Sequence, residues 1–228
     1  MPLLSIVVPA LNEAAQIAEA LRAAQAAAPG AELIVADGGS ADDTAALAAP
    51  HARVVQSRRG RARQMNAGAA QASGEVLLFL HADTRLPAGA PAAIAEALRD
   101  PRVVGGGFAL RFDEPGALYT LIAWSTSMRS RIARGFTGDQ AIFVRAAAFR
   151  ALGGYADIAL MEDIELCRRL RAAGALRVLT PPVLVSARRH RKHGPLKVLV
   201  TGWFLQILYR LGMPEFALHR LYYGRPPE

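Results

Sequence analysis

Acidic side chains follow three separate apolar segments in the N-terminal half of the chain. They are Glu13, Asp37 and Asp83, and each comes a few residues after one of the segments 4–8, 33–36 and 76–80. A carboxylate in this position can accept hydrogen bonds from a ribose or a base edge, or it can ligate a hard cation through oxygen. The alternative is that each acid only caps the helix that follows it. Three acids in register favour a shared binding site.

A further pair of acids, Glu162 and Asp163, stands at the predicted start of a helix. The positive end of the helix dipole favours the ionised form of both carboxyl groups. An ionised carboxylate in a cleft can act as a general base toward a hydroxyl. The alternative is an ordinary acidic first turn, which is common in helices.

Alternating strand and helix patterns over the first hundred residues position the three acids. Apolar segments predict strands over 4–8, 33–36, 53–56 and 76–80, and helical spacing predicts helices over 13–28, 40–49 and 61–72, the second capped by Ser40. Near-continuous apolar strands separated by helices are typical of a parallel sheet covered on both faces. Ligands of such sheets bind beyond the carboxyl ends of the strands, so we expect the acids to meet at one edge.

The second half of the chain is less regular. Its patterns predict strands over 104–112, 140–144 and 176–179 and helices over 146–152, 164–173 and 197–211, with 118–134 either helix or loop. Polar residues 138–140 directly precede a strand, where they form either a turn or part of a binding pocket.

Composition limits the classes of protein that fit. The 228 residues carry 27 Lys and Arg against 19 Asp and Glu, a net charge of +8, and 52% are apolar. That apolar fraction can bury a core and excludes a disordered chain. The single cysteine, Cys167, excludes an internal disulfide framework and a multi-thiolate metal site. Segment 3–10 lacks the basic start of a secretory signal, and segment 198–209 is shorter than the about 20 residues of a membrane span, so we expect a cytoplasmic protein.

The C-terminal tail combines apolar and basic residues. On the predicted helix, one face is shared by Trp203, Phe204, Ile207, Leu208 and Leu211, with Lys197 and Arg210 flanking it. We expect this face to pack on the core or to form a homodimer contact. The alternative, together with basic segment 188–192, is a peripheral position on the inner membrane face, where the tail would hold a lipid-linked ligand.

The order of these motifs resembles family 2 glycosyltransferases of the GT-A fold. The resemblance rests on Ile6-Val7-Val8-Pro9 with Asn12-Glu13, Val35-Ala36-Asp37-Gly38-Gly39-Ser40, Asn66-x-Gly68 in the helix after the third strand, Asp83, Gly153-Gly154-Tyr155 and Glu162-Asp163. It covers about residues 3–175. More specifically, the chain resembles the small stand-alone members associated with radical-SAM and selenium-domain genes, some of which are assigned to arsenosugar biosynthesis. It implies an α/β fold with a Rossmann-like, mostly parallel sheet, a glycosyltransferase domain over 1–185 with a nucleotide-binding half (1–100) and an acceptor half (101–185), and a helical extension over 186–228.

The resemblance also implies roles for individual residues. Asp37 would hydrogen-bond the nucleobase, usually uracil, and Glu13 would contact the nucleoside. Asp83 matches the last acid of the family's Asp-x-Asp motif and would bind Mg²⁺ or Mn²⁺ at the donor diphosphate, while Asp163 would deprotonate the acceptor hydroxyl with support from Glu162. The donor would further meet Pro9, Asn12, Gly38, Arg63, Ala82 and Arg189. Together these imply an inverting, metal-dependent transfer from a UDP-sugar to a hydroxyl acceptor that is a small molecule or lipid-linked.

The chemistry of the leaving group agrees with a cation at this site. A bound Mg²⁺ or Mn²⁺ neutralises the charge that develops on a departing diphosphate, and such ions take few protein ligands because the phosphates supply the others. One protein carboxylate, Asp83, is therefore sufficient.

Two segments depart from the family pattern. His81 stands where the first acid of Asp-x-Asp is expected, and residues 186–190 match the family's Gln-x-x-Arg-Trp only at Arg189. Whether His81, His190 or His193 touches the metal or donor stays open at the level of sequence. In the basic run 58–63, we expect Arg63 to face the nucleotide and the other arginines to be solvated.

Other functions fit the sequence less well. A nucleotidyltransferase usually needs a glycine-rich basic loop after the first strand, whereas segment 9–13 is acidic and contains no glycine. No G-x-G-x-x-G follows that strand, which argues against a dinucleotide oxidoreductase. A non-catalytic nucleic-acid binder would show exposed aromatics among its basic residues, but aromatics make up only 7% of the chain and most lie outside the arginine runs. We therefore expect no nucleic-acid partner.

Overall fold

A computed structural model describes residues 3–224. The elements are, in chain order, β1 (Leu4–Ala10), α1 (Ile17–Ala27), β2 (Glu32–Asp37), α2 (Thr44–Ala48), β3 (Arg53–Gln56), α3 (Arg61–Ala70), β4 (Val76–Phe79), β5 (Thr84–Arg85), α4 (Ala90–Ala97), β6 (Val103–Phe112), α5 (Ala117–Ala133), β7 (Ile142–Arg145), α6 (Ala146–Ala151), α7 (Glu162–Ala173), β8 (Ala175–Val185), α8 (Arg188–His193), α9 (Pro195–Arg210) and α10 (Glu215–Tyr223). A single 3-10 turn, Gly138–Gln140, precedes β7.

The strands form one mixed sheet of eight strands in the order β3-β2-β1-β4-β7-β6-β8-β5. The first four strands in the chain are parallel, as are β6 and β8. Strand β7 lies antiparallel between β4 and β6, and the short β5 is antiparallel to β8. The predicted α/β class with a mostly parallel sheet is confirmed, with antiparallel β7 joining its two halves.

Helices cover both faces of the sheet because side chains of a strand point alternately to opposite sides. On β1, Ile6 and Val8 pack with Ile17 of α1 in one cluster, while Val7 packs with Met65 of α3 in the other. Helices α4 and α5 contribute to the first cluster, and α6 and α7 contribute to the second. The sheet is thus buried on both sides, which explains why its strands are almost entirely apolar.

Close contact between α3 and β1 requires a glycine. A Cβ atom built on Gly68 would stand 2.4 Å from Cγ1 of Val7, which no real side chain tolerates. The Asn-x-Gly segment of α3 therefore lies directly against the strand that leads to Glu13. This contact fixes the position of the helix at the edge where the acids gather.

Several element boundaries differ from the sequence-based predictions. Helix α1 begins at Ile17 rather than at residue 13, and the amides of Glu13 and Ala14 before it donate to Thr44 at the start of α2 and to Asp42 in the preceding loop. Ser40 does not cap α2, which begins at Thr44, and its hydroxyl instead donates to Asp37. The alternative for 118–134 resolves as helix α5. Strand 176–179 is the start of the longer β8, and four elements had no predicted counterpart: β5, α4, α8 and α10.

The C-terminal helices pack against the loop that leads into α7. Leu205 of α9 and Leu218 of α10 form a buried cluster with Leu160 and Met161, and Leu208 packs on it. Leu208 therefore packs on the protein, whereas Trp203, Phe204, Ile207 and Leu211, the other members of the predicted face, are exposed. Within residues 3–224, no helix combines the length and apolar character needed to cross a membrane. The domain division at residue 185 stays a prediction. The last four residues of the predicted extension, 225–228, lie outside the described part of the chain.

Candidate active site

The carboxyl ends of the parallel strands bring two of the predicted acids to one cleft. Strands β1 and β4 lie side by side in the sheet, and Glu13 and Asp83 follow them. The two carboxylates are close enough for the charge of Asp83 to raise the pKa of Glu13, although burial is the larger cause of that rise. The predicted meeting of strand-end acids therefore holds for this pair.

A cavity of about 510 Å³ opens beyond these strand ends. Six residues predicted for the site line it: Pro9, Glu13, Arg63, Ala82, Asp83 and Glu162. Unpredicted lining residues include Arg61, and also Glu215, His219 and Tyr223 from α10. We call this space the larger cavity.

A second cavity of about 280 Å³ adjoins the first. Its lining includes Asp163 and Arg189, and the two cavities share Arg61, His81 and Asp83. We call it the smaller cavity. The three shared residues thus form the wall between the two cavities. Glu162 lines the larger cavity and Asp163 lines the smaller one.

Asp163 has the most strongly altered acidity among the predicted site residues. Burial, and next the negative charge of Glu162, raise the pKa of Asp163 to about 7. The amides of Gly138 and Ile164 donate to its two carboxylate oxygens at 2.8 and 2.7 Å and oppose this rise. The dipole at the start of α7 favours the ionised form of Asp163, but burial and the neighbouring acid outweigh it.

Arg61 compensates the negative charges of the cleft. Its guanidinium lies 3.6 Å from the carboxylate of buried Glu162 while keeping 45% of its side chain exposed. Burial lowers the pKa of Arg61, but attraction from Glu162, Asp163 and Asp83 outweighs it and keeps the group charged. The prediction that only Arg63 of the basic run faces the site missed this residue. Arg63 does line the larger cavity, where it pairs with Asp157 at 2.7 Å.

His81 occupies the wall between the cavities as a neutral imidazole. Burial, and next the charge of Arg61, lower the pKa of His81. The ring packs so closely on the 3-10 turn that a Cβ atom on Gly138 would stand 2.5 Å from its Cε1 atom. Because Gly138 also donates to Asp163, the turn couples the histidine to the carboxylate.

Three predicted donor-binding residues, Asn12, Asp37 and Gly38, line neither cavity. Asp37 is buried and accepts hydrogen bonds from the amides of Gly39 and Ser40, and the Asn12 side chain accepts from Ala41. These bonds hold the loops after β1 and β2 together. Their predicted contacts with the nucleotide stay predictions.

Gly38 makes room for the side chain that ties two strand ends together. A Cβ atom on Gly38 would stand 2.9 Å from Cδ of Gln64. The Gln64 amide donates to the carbonyl oxygens of Ala10 and Ala36 at 2.7 and 3.0 Å. Buried Gln64 therefore clamps β1 to β2 next to the larger cavity.

Asn66 and the Gly-Gly-Tyr segment of the sequence pattern contact each other. The Asn66 amide nitrogen donates to the carbonyl of Tyr155 at 2.8 Å, and its oxygen accepts from the Tyr155 amide at 2.9 Å. This pair links α3 to the loop that leads to Glu162 and Asp163. Two motifs 89 positions apart thus position the second pair of acids.

Arg189 lies on the smaller cavity rather than on the larger one. Its guanidinium stands 4.8 Å above the ring of Tyr222, and burial lowers the pKa of Arg189. Its predicted contact with the donor diphosphate stays a prediction. His190 also lines the smaller cavity, whereas His193 lines neither.

The smaller cavity also contains polar residues that sequence reasoning ranked low or missed. Oδ1 of Asp139 and Nε of Arg129 are buried, and neither finds a hydrogen-bond partner within residues 3–224. Asp139 belongs to the polar segment before β7, which was the one available signal. The third member of that segment, Gln140, is fully buried and bonds Ser130 and the Phe108 carbonyl, so its role is structural.

The donor set of the cleft fits a cation that receives most of its ligands from a diphosphate. In the described part of the chain, no three His, Cys, Asp or Glu residues come together as a metal site of their own. Asp83 supplies a carboxylate on the shared wall, and neutral His81 adds an imidazole beside it. Carboxylate and phosphate oxygens are the ligands that Mg²⁺ and Mn²⁺ prefer, so Asp83 together with a bound diphosphate suits either ion.

Comparisons with known proteins agree with this arrangement. Residues 5–153 match the family described as Glycosyl transferase family 2. No curated protein sequence matches the chain.

Solved structures show the same fold at low sequence identity. The mannosyltransferase PcManGT from Pyrobaculum calidifontis, in complex with GDP-Man and Mn²⁺, is 22% identical with a TM-score of 0.68 over 97% of this chain and 69% of its own. Glucosyl-3-phosphoglycerate synthase from Mycobacterium tuberculosis, with Mn²⁺, UDP and glucosyl-3-phosphoglycerate, is 21% identical with a TM-score of 0.62 over 93% and 81%. S. aureus TarS 1–349 with UDP-GlcNAc is 17% identical with a TM-score of 0.65. The match covers 82% of this chain and 59% of TarS 1–349.

Proposed function

The chain belongs to glycosyl transferase family 2, and on that premise we propose an inverting, metal-dependent transfer of a sugar from a UDP-sugar to an acceptor hydroxyl. The observation that carries the proposal is the shared wall between the two cavities. Asp83 lies on both sides of it, and Asp163 faces only the smaller cavity. A donor on one side and an acceptor on the other would then meet at this wall.

The larger cavity takes the nucleotide sugar in this proposal. A diphosphate carries negative charge, and Arg61 and Arg63 line the cavity together with Asp83. Asp83, with His81 beside it, would hold Mg²⁺ or Mn²⁺, which supplies Lewis-acid stabilisation of the departing diphosphate. Mn²⁺ and a nucleotide or nucleotide sugar occur together in two of the similar structures, which supports this choice.

The smaller cavity takes the acceptor, and Asp163 receives its proton. The acceptor oxygen forms a bond to the anomeric carbon while the bond from that carbon to the diphosphate oxygen breaks. The hydroxyl proton passes to a carboxylate oxygen of Asp163, and the diphosphate leaves with the bonding electron pair. A single displacement inverts the anomeric configuration. A pKa near 7 suits this task, because about half of the base is then ionised at neutral pH and it still holds a proton well.

Neighbouring groups orient the base. The amides of Gly138 and Ile164 each bind one carboxylate oxygen of Asp163 and so fix the plane of the carboxyl group. Glu162 sets its acidity through charge and is itself held by Arg61. Glu162 acts in this scheme as a supporting residue on the donor side.

Finer assignments belong to the same proposal. Membership of the small stand-alone group associated with radical-SAM and selenium-domain genes rests on motif order, and a cytoplasmic location rests on composition. A nucleotidyltransferase reaction is the second candidate, but nothing in the cleft favours it over sugar transfer. The homodimer contact and the peripheral membrane contact both need an exposed apolar surface on the C-terminal helices, which α9 provides.

A donor screen tests the proposed function. Nucleoside diphosphate sugars are incubated with the full chain and Mn²⁺ in the absence of an acceptor, and release of nucleoside diphosphate is measured while proton NMR follows the freed sugar. We expect hydrolysis of a UDP-sugar that stops on chelation, with inverted configuration in the first-formed sugar. Retained configuration, or release that chelation does not affect, would contradict the mechanism.

A further inference from the structure

Large exposed apolar side chains concentrate on two helices. Helix α5 exposes Leu118, Leu121, Trp124, Met128 and Ile132, and α9 with the residue after it exposes Leu196, Val200, Trp203, Phe204, Ile207 and Leu211. We call these eleven residues the apolar face. Elsewhere in the described chain, the exposed large apolar residues are Leu3, Leu47 and three on α10. Contiguous apolar surface of this kind marks an interaction site.

Each helix presents its exposed residues along one stripe. At about 100° per residue, the five positions on α5 fall within an arc of about 120°, and the six on α9 within about 100°. The other sides are buried, with Ile122 on α5 and Leu205 on α9 as examples. The two helices pack against each other, and Arg129 of α5 donates a hydrogen bond to Gln206 of α9. Both helices thus carry an exposed apolar stripe in addition to their buried apolar side, and this stripe lacks a partner within residues 3–224.

Positive charge is concentrated in the same two parts of the chain. Segments 115–138 and 186–214, which contain α5, α8 and α9, hold nine of the 27 Lys and Arg residues and none of the 19 Asp and Glu. The remainder of the chain therefore carries 18 basic against 19 acidic residues and is close to neutral. The net charge of the protein resides beside the apolar face.

The apolar face adjoins the smaller cavity. Ile122, Thr126 and Arg129 of α5 line that cavity from one side, and Val198, Gly202 and Trp203 of α9 line it from another. Trp203 also belongs to the apolar face, with 43% of its surface exposed. Whatever covers the face therefore lies next to the space that contains Asp163.

We propose that the apolar face docks on an anionic lipid bilayer. Amphipathic helices lie in the bilayer interface with their apolar stripe among the acyl chains, and tryptophans favour that depth. Basic residues beside the stripe are attracted to anionic headgroups. Resting on the proposed function, this docking makes the acceptor an amphipathic molecule that carries its hydroxyl from the bilayer into the smaller cavity.

A second copy of the chain fits the same surface less well. A symmetric dimer would bring the nine basic residues of one copy near those of the other, and the two segments contain no acid, although Arg191 and Arg188 pair with Glu114 and Glu13 elsewhere in the chain. Like charges brought together in this way oppose association. Anionic lipid removes this repulsion and supplies the missing counter-charge.

The two tryptophans of the chain, Trp124 and Trp203, both belong to the apolar face and report on docking directly. The full chain is titrated with phosphatidylcholine vesicles, with vesicles containing about 30% phosphatidylglycerol, and with the same lipids brominated on the acyl chains. We expect a blue shift and bromine quenching with anionic vesicles, at least about tenfold weaker binding to neutral ones, and weaker binding at about 0.5 M NaCl. Absence of quenching, or equal binding to both lipids, would overturn the proposal.

Matched variants separate the apolar and charged contributions. Leu121→Ser with Ile207→Ser removes one exposed residue from each stripe, and Leu3→Ser with Leu47→Ser is its control on similarly exposed positions. Lys192→Gln with Lys197→Gln is compared with Arg22→Gln and Arg99→Gln, which make the same change in net charge. We expect about tenfold weaker vesicle binding from the Leu121→Ser, Ile207→Ser variant and from the Lys192→Gln, Lys197→Gln variant. Their two control variants should bind vesicles with unchanged affinity. Equal effects within a comparison would contradict docking through this face.

Sedimentation velocity distinguishes the bilayer from a second copy. We expect a monomer at micromolar concentration without lipid. A dimer that Leu121→Ser with Ile207→Ser dissociates, without bromine quenching in the parent protein, would assign the face to self-association and overturn the proposal. Vesicle binding is measured without donor or turnover. A protein that fails to bind vesicles can therefore still be active in the transferase assay. A protein that is inactive in that assay can still bind vesicles.

Discussion

The pH dependence of sugar transfer should report the ionisation of Asp163, and Glu162→Gln should move it. Glu162 is buried beside Asp163, and its negative charge is the second largest cause, after burial, of the raised pKa. Replacement by glutamine removes that charge and also leaves Arg61 free to stabilise the ionised Asp163. Both effects lower the pKa of the base, whereas the contribution of burial remains.

The size of the effect follows from the position of the pKa. With a pKa of about 7, about 1% of Asp163 is ionised at pH 5, compared with about 94% if it kept its ordinary value of 3.8. The rate at pH 5 should thus lie about 100-fold below its plateau. Loss of a neighbouring like charge lowers a carboxyl pKa by about one unit or more, so the midpoint in Glu162→Gln should move to about pH 6.

Initial rates of nucleoside diphosphate release measure this shift. The rates are taken from pH 5 to 9 at low acceptor concentration, where kcat/KM reports the ionisation of the free enzyme. Each profile is scaled to its own plateau, so that a change in maximal activity does not enter the comparison. Glu96→Gln, on the exposed surface of α4, is the matched control and should leave the midpoint unchanged. A midpoint in Glu162→Gln that stays in place or rises would refute the electrostatic reasoning.

Three further predictions concern the same cleft. Asp163→Asn should lower kcat at least about 100-fold, the scale of general-base catalysis, and unchanged turnover would remove Asp163 from that role. The raised pKa means that ionisation costs the folded state, so the stability present when Asp163 is protonated is lost as pH rises from about 4 through about 7. By urea unfolding, the stability of Asp163→Asn relative to the parent protein should therefore rise by about 1–2 kcal/mol from pH 4 to pH 8, less than the full shift implies because the side chain is partly exposed, whereas a stability difference that does not change with pH would contradict its burial. Gly138→Ala should lower kcat/KM about tenfold, because the methyl group displaces His81 and the amide bound to Asp163, while Gly135→Ala, whose methyl would meet nothing closer than 3.6 Å, should not.

Local patterns were sufficient to predict the four parallel strands of the first half and the helices between them, but not β5 and α4, which follow Asp83. The strands that lead to Glu13, Asp37 and Asp83 are continuous apolar segments, and burial on both sheet faces accounts for that composition. The later strands β7 and β8 were only partly predictable. Their pairing with distant partners, and not their own sequence, sets where they begin and end.

Long-range contacts also decide which side chains reach the cleft. Arg61 and Arg63 are two positions apart on α3, and sequence gives no reason to prefer one, whereas the loop before α7 places buried Glu162 next to Arg61. Asp37 follows its strand as predicted but is bound by the loop after it. The apolar stripe of α9 was visible in the sequence, but that of α5 becomes meaningful only when the two helices are seen beside one cavity.

Titration calorimetry of UDP in the presence of Mn²⁺ tests most directly whether Asp83 and Asp163 serve opposite sides of one cleft. The parent protein and Asp163→Asn should bind UDP with similar, Mn²⁺-dependent affinity. Asp83→Asn should bind at least about tenfold more weakly and lose the dependence on Mn²⁺, because it lacks the carboxylate proposed to hold the cation. Equal, Mn²⁺-dependent binding by Asp83→Asn, or no Mn²⁺-dependent binding by the parent protein, would contradict the division of the cleft into a donor side and an acceptor side.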